Sequence, residues 1–326
     1  MAATTKIAWT DATWNPVTGC TKCSAGCLNC YAAKMTKRLQ AMKKPKYQAG
    51  FEKVVCHTEA LNEPFRWKKP RMIFVNSMAD TFHESVPIKF LDKMFAVMAS
   101  TREHTYQILT KRPTLMAEWY ARVERRGPLH ANLYQSGLID FYQRHDVDLS
   151  LPYQVPTLPT PELRFIYDSA RGIDPYAKHE NREDRDCTRL HKHDVDYHWR
   201  DWPLSNVWLG TTAENQDCAN VRIDELLKCK ARVRFLSLEP LLEPINIRHW
   251  IDRLDWVIVG CESGPGAREM KLHWVREIRD QCLCAGVPFF FKQKYENGKK
   301  ILCPQLDGWR WKEMPEKGGG SCTTAS

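Results

Sequence analysis

Residues 254–260, LDWVIVG, form an almost continuous apolar run that leads into the polar segment CESGPGARE. A second run of the same kind, VPFFFK, covers residues 287–292. Strands of a parallel sheet have this character because helices cover both faces and neither face meets water. The two runs therefore predict buried parallel strands, each of which ends in polar residues.

Outward from these runs, strand patterns alternate with helical periodicity along most of the chain. Further strands are predicted over residues 71–76, 105–110, 206–211 and 233–238, with a first strand within residues 7–14. Helices are predicted over residues 31–42, 87–100, 114–126, 215–229 and 272–285. Such alternation is typical of parallel βα units. With about eight strands in all, it predicts an α/β fold, as a full or partial (β/α) barrel of the TIM type.

The alternation lapses between residues 127 and 203, where prolines are followed by a charged run rich in histidine. No helical or strand period is sustained there, so we predict a long polar insertion over residues 127–203. It interrupts a single barrel domain that covers residues 1–315. Residues 316–326 are predicted to be a disordered tail.

The positive charge is concentrated in the first part of the chain. The formal net charge is +9, and residues 1–126 contain 21 lysines and arginines against 10 aspartates and glutamates. A basic region of this kind attracts a polyanion such as nucleic acid. A basic surface with no particular partner would have the same composition, so nucleic acid is a predicted partner that composition alone does not establish.

The sequence has thirteen cysteines, no secretory signal and no apolar run of the ~18 residues that a membrane span needs. Cysteines in a reducing compartment serve as ligands rather than as disulfides. We therefore predict a cytoplasmic protein without membrane contact.

Four of the cysteines, Cys20, Cys23, Cys27 and Cys30, lie close together after the first predicted strand. Zinc sites built from two C-x2-C pairs usually separate the pairs by ~15–20 residues, whereas only three residues lie between them here. Iron–sulfur clusters are held by thiolates two or three residues apart in one loop. The spacing therefore favours a [4Fe–4S] cluster over a zinc site.

Polar residues follow the other predicted strands at their carboxyl ends, where barrel enzymes hold their active sites. A carboxylate that emerges from a buried strand is costly to leave unpaired, so each is expected to meet a cation, a hydroxyl or another donor. Structural ion pairs are the alternative to catalytic roles. The predicted catalytic residues are Lys111, Glu239, Glu262 and Lys292, and ribose hydroxyls are the expected ligands of Glu214 and Asn215.

Nine segments together carry a family resemblance: TWNPVTGC, GCLNCYA, SMADTFH, ILTKRP, VWLGTTAENQ, FLSLEPLL, WVIVGCESGPGAR, FFFKQ and LDG. Over most of residues 7–126 and 203–313 the chain resembles a radical-SAM-like family of uncharacterised phage and bacterial proteins. Their genes sometimes lie beside one for a three-Cys-motif partner protein. The resemblance implies a barrel of the radical-SAM kind, a [4Fe–4S] cluster, S-adenosyl-L-methionine as cofactor, and that protein as a partner.

The resemblance also implies which cysteines bind the cluster. Three thiolates leave one iron open for S-adenosylmethionine, whose reductive cleavage gives a 5′-deoxyadenosyl radical. The family pattern has valine at the position of Cys23, so its three cysteines correspond to Cys20, Cys27 and Cys30. The common radical-SAM spacing would instead select Cys23. We favour Cys20 as the third ligand, with Cys23 as a nearby thiol.

Further residues gain roles from the same resemblance. Tyr31 is expected beside the cluster and the adenine, although packing at a helix start would also explain it. Ser77, Met78 and Asp80 are expected to hold the methionine amino group of the cofactor. A helix N-cap would explain only one polar residue of that loop.

The predicted function is that of a radical S-adenosylmethionine enzyme whose substrate is a nucleic acid or a nucleotide-derived group. One alternative is a non-enzymatic protein that binds nucleic acid or a partner and has a structural metal–cysteine loop. Another is radical modification of a peptide or of the partner protein.

Overall fold

The computed structural model describes residues 5, 7–125, 202–262, 264, 266–296 and 298–316. The strands in chain order are β1 (Ala12–Trp14), β2 (Val17–Thr18), β3 (Val55–Cys56), β4 (Met72–Val75), β5 (Thr105–Thr110), β6 (Val207–Thr212), β7 (Val233–Leu238), β8 (Trp256–Gly260), β9 (Phe289–Glu296), β10 (Lys299–Leu302), β11 (Gln305–Leu306) and β12 (Trp309–Arg310). The α-helices are α1 (Tyr31–Ala41), α2 (Ile88–Ser100), α3 (Pro113–Arg125), α4 (Gln216–Leu227) and α5 (Leu272–Ala285). Short 3-10 helices cover Ala25–Cys27, Pro45–Tyr47, Thr58–Asn62, Pro64–Arg66 and Ile251–Arg253.

One mixed sheet of eight strands forms the centre of the fold, in the order β1-β4-β5-β6-β7-β8-β9-β10. Within this sheet β1 and β4 to β9 run parallel, and β10 returns antiparallel along β9, while β2 and β3 form a separate antiparallel pair. Because the strands lie in chain order, their carboxyl ends form a continuous edge. The predicted α/β class is confirmed.

The predicted TIM-type barrel is wrong. Among the described strands, β1 pairs only with β4 and β10 only with β9, so the two edges of the sheet do not meet. The connection from β7 to β8 contains a 3-10 helix and no α-helix. The edge strand β10, with sequence KKIL, carries exposed lysines, which oppose pairing with a further strand. The result is a curled half-barrel with few helices.

Two apolar clusters show how the sheet curls. The larger cluster joins the sheet to the helices through residues such as Ile73, Met94 and Leu209. The smaller one gathers on Trp9, whose ring centroid lies 4.8 Å from that of Phe74 in β4 and 6.0 Å from that of Trp256 in β8. Neighbouring strands are ~4.8 Å apart, so one side chain contacts strands four positions apart only if the sheet bends around it.

The helices and the inner strands up to β8 agree with the sequence predictions to within about two residues, as is usual for element ends, whereas β9 extends four residues beyond its predicted end. The hairpin of β9 and β10 was not predicted. The predicted insertion lies outside the described residues except for 202 and 203, and so does nearly all of the predicted tail. Among the described helices, none combines the length and apolarity needed to cross a membrane.

Candidate functional site

A cavity of about 250 Å³ opens at the carboxyl ends of the sheet strands. Five of its lining residues end or follow successive strands from β4 to β8, and a sixth lies within β9: Ser77, Lys111, Thr212, Glu239, Glu262 and Gln293. Residues 20–30, which we call the cysteine loop, supply much of the remaining wall. The structure therefore brings strand-end residues that are far apart in sequence to one place.

Three of the four clustered cysteines line the cavity: Cys20, Cys27 and Cys30. Cys23 is exposed and does not line it. The Cys23 and Cys27 sulfurs are 3.9 Å apart, and this hydrogen bond lowers the pKa of the Cys27 thiol and raises that of Cys23. Cys261 at the end of β8 is a fourth cavity thiol, and burial raises its pKa to about 12.

The chain enters the cysteine loop through a close backbone approach at Gly19. Its φ is +86°, and a Cβ atom there would lie 2.1 Å from the Lys53 carbonyl oxygen. The Gly19 amide donates to the Met78 carbonyl (3.2 Å), and the Cys20 amide donates to the Phe51 carbonyl (2.7 Å). Only glycine fits this position, which fixes where the loop begins.

Arg112 holds the first residues of the loop against the end of β5. Its guanidinium donates to both carboxylate oxygens of Glu84 (2.9 and 3.0 Å) and to the backbone and side-chain oxygens of Thr21 (3.2 and 3.0 Å). It also lies 3.5 Å from the Cys20 sulfur. Burial, followed by the charge of Asp80, raises the pKa of Cys20 to about 11 against the opposing effect of Arg112.

Asp80 organises this end of the site through four donors. Its carboxylate accepts from the Thr110 hydroxyl (2.6 Å), the Lys111 amide (2.9 Å), the Phe82 amide (3.0 Å) and Arg112 (3.4 Å). Such a carboxylate is already satisfied by protein groups. Asp80, which the sequence predicts as a ligand of the cofactor, lies in the wall of the cavity, and its oxygens bind the β5–α3 turn and the Phe82 amide.

Glu214 holds the middle of the cysteine loop. It is fully buried and accepts from the Gly26 amide (3.1 Å) and Arg222 (3.0 Å), with the Lys111 ammonium 3.6 Å away. Burial alone would raise its pKa, but Lys111, Ser24 and Arg222 lower it to about 2. Glu214 is thus an ionised carboxylate at neutral pH, and it binds the loop instead of lining the cavity.

Glu262 and Arg268 hold the end of the loop. Glu262 accepts from the Asn29 side chain (2.9 Å) and from the backbone amide of Arg268 (2.9 Å), and the two side chains form an ion pair. Arg268 also donates to the Ala25 carbonyl (2.9 Å). Although burial acts in the opposite direction, the bonds from Arg268 and Asn29 lower the pKa of Glu262.

Glu239 differs from the other carboxylates because it makes no hydrogen bond to the cysteine loop. Its two oxygens accept from the Lys292 ammonium at 2.7 Å each, and one also accepts from the Gln293 side chain at 3.0 Å. Gln293 donates in addition to the Cys261 carbonyl (2.7 Å). Glu239 and Gln293 both line the cavity, so a ligand there can meet them.

The remaining predicted residues occupy two kinds of position. Ser77 and Tyr31 line the cavity; the Ser77 hydroxyl donates to the Asn15 side chain (3.0 Å), and Tyr31 is 55% exposed. Met78 is buried, and its carbonyl accepts from the Gly19 amide, just before the loop. Asn215 caps α4 by accepting from the Cys218 amide (2.9 Å), and it does not line the cavity.

Sequence reasoning missed the residues that hold the loop: Gly26, Asn29, Arg222 and Arg268. Each of these residues forms a hydrogen bond with a group more than five residues away in the sequence. The spacing of residues within a short motif therefore does not predict the bond. One signal in the sequence could have indicated these contacts: the polar segments GCLNC and GCESGPGARE occur in the same chain. In the structure, Asn29 of the first segment binds Glu262 of the second.

Within the described residues, no three His, Cys, Asp or Glu side chains are grouped so that they could hold a single metal ion. A cubane cluster bonds each thiolate to a different iron and so accepts ligands that are more widely separated. The thiols of Cys20, Cys27 and Cys30, together with that of Cys261, are soft donors of the kind that iron–sulfur clusters take. The residues present therefore fit the cluster better than a four-ligand zinc site.

Fold and site together define an α/β protein with a curled half-barrel sheet and a cysteine-lined cavity at the strand ends. A family model described as "Protein of unknown function (DUF5131)" matches residues 4–315, and the chain belongs to that family. No curated protein matches the chain, and no solved structure matches it either.

Proposed function

We propose that this protein is a radical S-adenosylmethionine enzyme. The observation that carries the proposal is the cavity at the strand ends, which is lined by Cys20, Cys27 and Cys30 but not by Cys23. These three thiols would bind a [4Fe–4S] cluster, which when bound supplies the electron that cleaves the cofactor and yields a 5′-deoxyadenosyl radical.

The protein's own contribution is to hold the cysteine loop rigidly over the sheet. Arg112, Glu214 and Glu262 bind the beginning, the middle and the end of the loop, from the ends of β5, β6 and β8. A site supported by several strands keeps its ligands in place, which cluster binding and radical chemistry both need. Lys111 supports the same contact because it lies beside Glu214 and donates to the Thr212 hydroxyl (2.9 Å).

Glu239, Lys292 and Gln293 are the residues we assign to the bound cofactor or substrate. Glu239 lines the cavity and has a cation on one side, so it can accept from an ammonium or hydroxyl group that enters. Tyr31 is half exposed at the cavity edge and offers an aromatic ring to a nucleobase. Ser77 is a polar side chain at the β4 side of the cavity.

The substrate we propose is a nucleic acid or a nucleotide-derived group, because the basic part of the chain supplies the cysteine loop. A three-Cys-motif protein is the proposed partner, on the resemblance alone. We place the protein in the cytoplasm because its function depends on reduced thiols.

The test is anaerobic reconstitution with iron and sulfide, followed by reduction in the presence of S-adenosylmethionine. We expect a brown protein that releases 5′-deoxyadenosine and methionine in equal amounts. The Cys27→Ala variant should release neither. A colourless protein that binds one zinc ion and leaves S-adenosylmethionine intact would contradict the proposal and favour a structural metal loop. If 5′-deoxyadenosine were released only when a peptide is added, the substrate would be a peptide and not a nucleic acid.

A further inference from the structure

The segment that carries the cysteine loop is unusually rich in positive charge. Residues 12–51 contain seven lysines and arginines and no aspartate or glutamate. This segment includes the whole cysteine loop and α1, whose first two residues line the cavity. Positive charge that is not offset locally raises the potential of the surface and attracts polyanions.

Exposed residues of α1 and of the segment that follows it carry four of these charges. Ala32 and Thr36 are buried and mark the face that packs on the protein, whereas Lys37 and Arg38 are exposed. Two more exposed lysines follow the end of the helix. We call Lys37, Arg38, Lys43 and Lys44 the basic stripe.

Among the residues that the structure describes, the basic stripe has no carboxylate partner. In the part of the chain that the structure describes, no aspartate or glutamate lies within ion-pair distance of its four side chains. The nearby Lys46, by contrast, pairs with Glu63 at 3.9 Å. The four charges are therefore available to an anionic ligand.

The basic stripe leads to the edge of the cavity. Tyr31, the first residue of α1, lines the cavity and is 55% exposed, and Leu28 of the cysteine loop is 63% exposed. Proteins that bind single-stranded nucleic acid combine a basic track for the backbone with aromatic rings on which bases stack. Both components occur here, on α1 and the residues that follow it.

We propose that the basic stripe binds the phosphates of a single-stranded nucleic acid and leads one of its bases past Tyr31 to the cavity. This inference rests on the proposed function for the identity of the cavity as a reaction site. A cavity of about 250 Å³ between strand ends can be reached by a single base but not by a base that remains in a duplex. The ligand is therefore single-stranded.

The test is fluorescence anisotropy of labelled oligo(U) and oligo(dT), about twelve nucleotides long, with metal-free protein and no cofactor. Replacing the basic stripe with glutamine should weaken binding about tenfold or more. It should also reduce the slope of log affinity against log salt by about 3, since each phosphate contact on a single strand contributes about 0.7.

A matched control removes four other exposed cations, which lie in the segments before the amino ends of β7 and β8, away from the carboxyl ends where the cavity opens. These are Lys228, Lys230, Arg232 and Arg253. This variant carries the same net charge as the stripe variant, so a general charge effect would weaken both equally. We expect the control to bind within about twofold of the unaltered protein, as expected for cations outside the contact.

Equal loss in the two variants, or no loss in the stripe variant, would overturn the inference. The inference would also be overturned if a duplex of the same sequence, or vesicles of anionic lipid, competed for the protein as well as the single strand does. Because binding is measured without iron or cofactor, a protein that fails to cleave S-adenosylmethionine can still bind. One that cleaves it but does not bind the oligonucleotides contradicts this inference alone.

Discussion

Glu214 illustrates at the scale of one residue how the site is built. The sequence predicts that a carboxylate at a buried strand end must find partners, and Glu214 finds them in Gly26, Arg222 and Lys111. The kind of residue could be predicted, because the cost of an unpaired charge is general. Its partners could not, because they come from three separate segments of the chain.

Glu214 should make the folding stability depend on pH in the acid range. Its pKa is lowered from 4.5 to about 2, so its contribution is complete above pH 4.5 and is lost as the pH falls through about 2. The full contribution is about 3 kcal/mol at about 1.4 kcal/mol per pH unit. Urea unfolding of wild type and Glu214→Gln between these pH values should show free energies of unfolding that converge as the pH falls. A constant difference would contradict this role.

Gly26 should resist substitution because the loop lies against a carboxylate there. A Cβ atom at this position would be 3.0 Å from Cδ of Glu214 and 3.2 Å from Nζ of Lys111. We expect Gly26→Ala to destabilise the protein by about 1–3 kcal/mol, as overpacking of a filled site does. Ala25→Ser, at the exposed neighbouring position, is the control and should change the unfolding midpoint little.

At the scale of the element, the cysteine loop is the unit that the sheet supports. The sequence predicts the loop, the helix that follows it and the strand ends beneath it from cysteine spacing and periodicity. It does not show that Arg112, Glu214 and Glu262 all bind the loop, because hydrogen bonds between distant segments leave no periodic pattern. Residues predicted to meet a ligand, such as Glu214 and Asn215, bind the protein itself in the structure.

At the scale of the whole molecule, the sequence predicts the order of strands and helices but not the closure of the sheet. Apolar runs show that the strands are buried, and they are equally buried in a closed barrel and in a curled open sheet. What decides between them lies at the edges. The short β1, the exposed lysines of β10 and the missing helix before β8 keep the sheet open.

Trp9 should be essential to the curled shape of the sheet. It is 3% exposed and packs against rings of β4, β7 and β8. We expect Trp9→Ala to lower the free energy of unfolding by about 3–5 kcal/mol, as loss of a buried large ring does. Trp309→Ala removes an equally large ring that is 58% exposed and should change stability by less than about 1 kcal/mol. Similar losses in both variants would show that Trp9 has no special part in the core.

The identity of the thiols that hold the cluster tests the central claim most directly. Iron per chain would be counted after anaerobic reconstitution of single alanine variants, with thermal unfolding to confirm that each is folded. We predict that Cys20→Ala, Cys27→Ala and Cys30→Ala lose most of the about four irons of a cubane. Cys23→Ala and Cys261→Ala, the controls at the other two cysteines of the region, should retain them. Full iron in Cys20→Ala together with its loss in Cys23→Ala would contradict the assignment of the cavity-lining thiols.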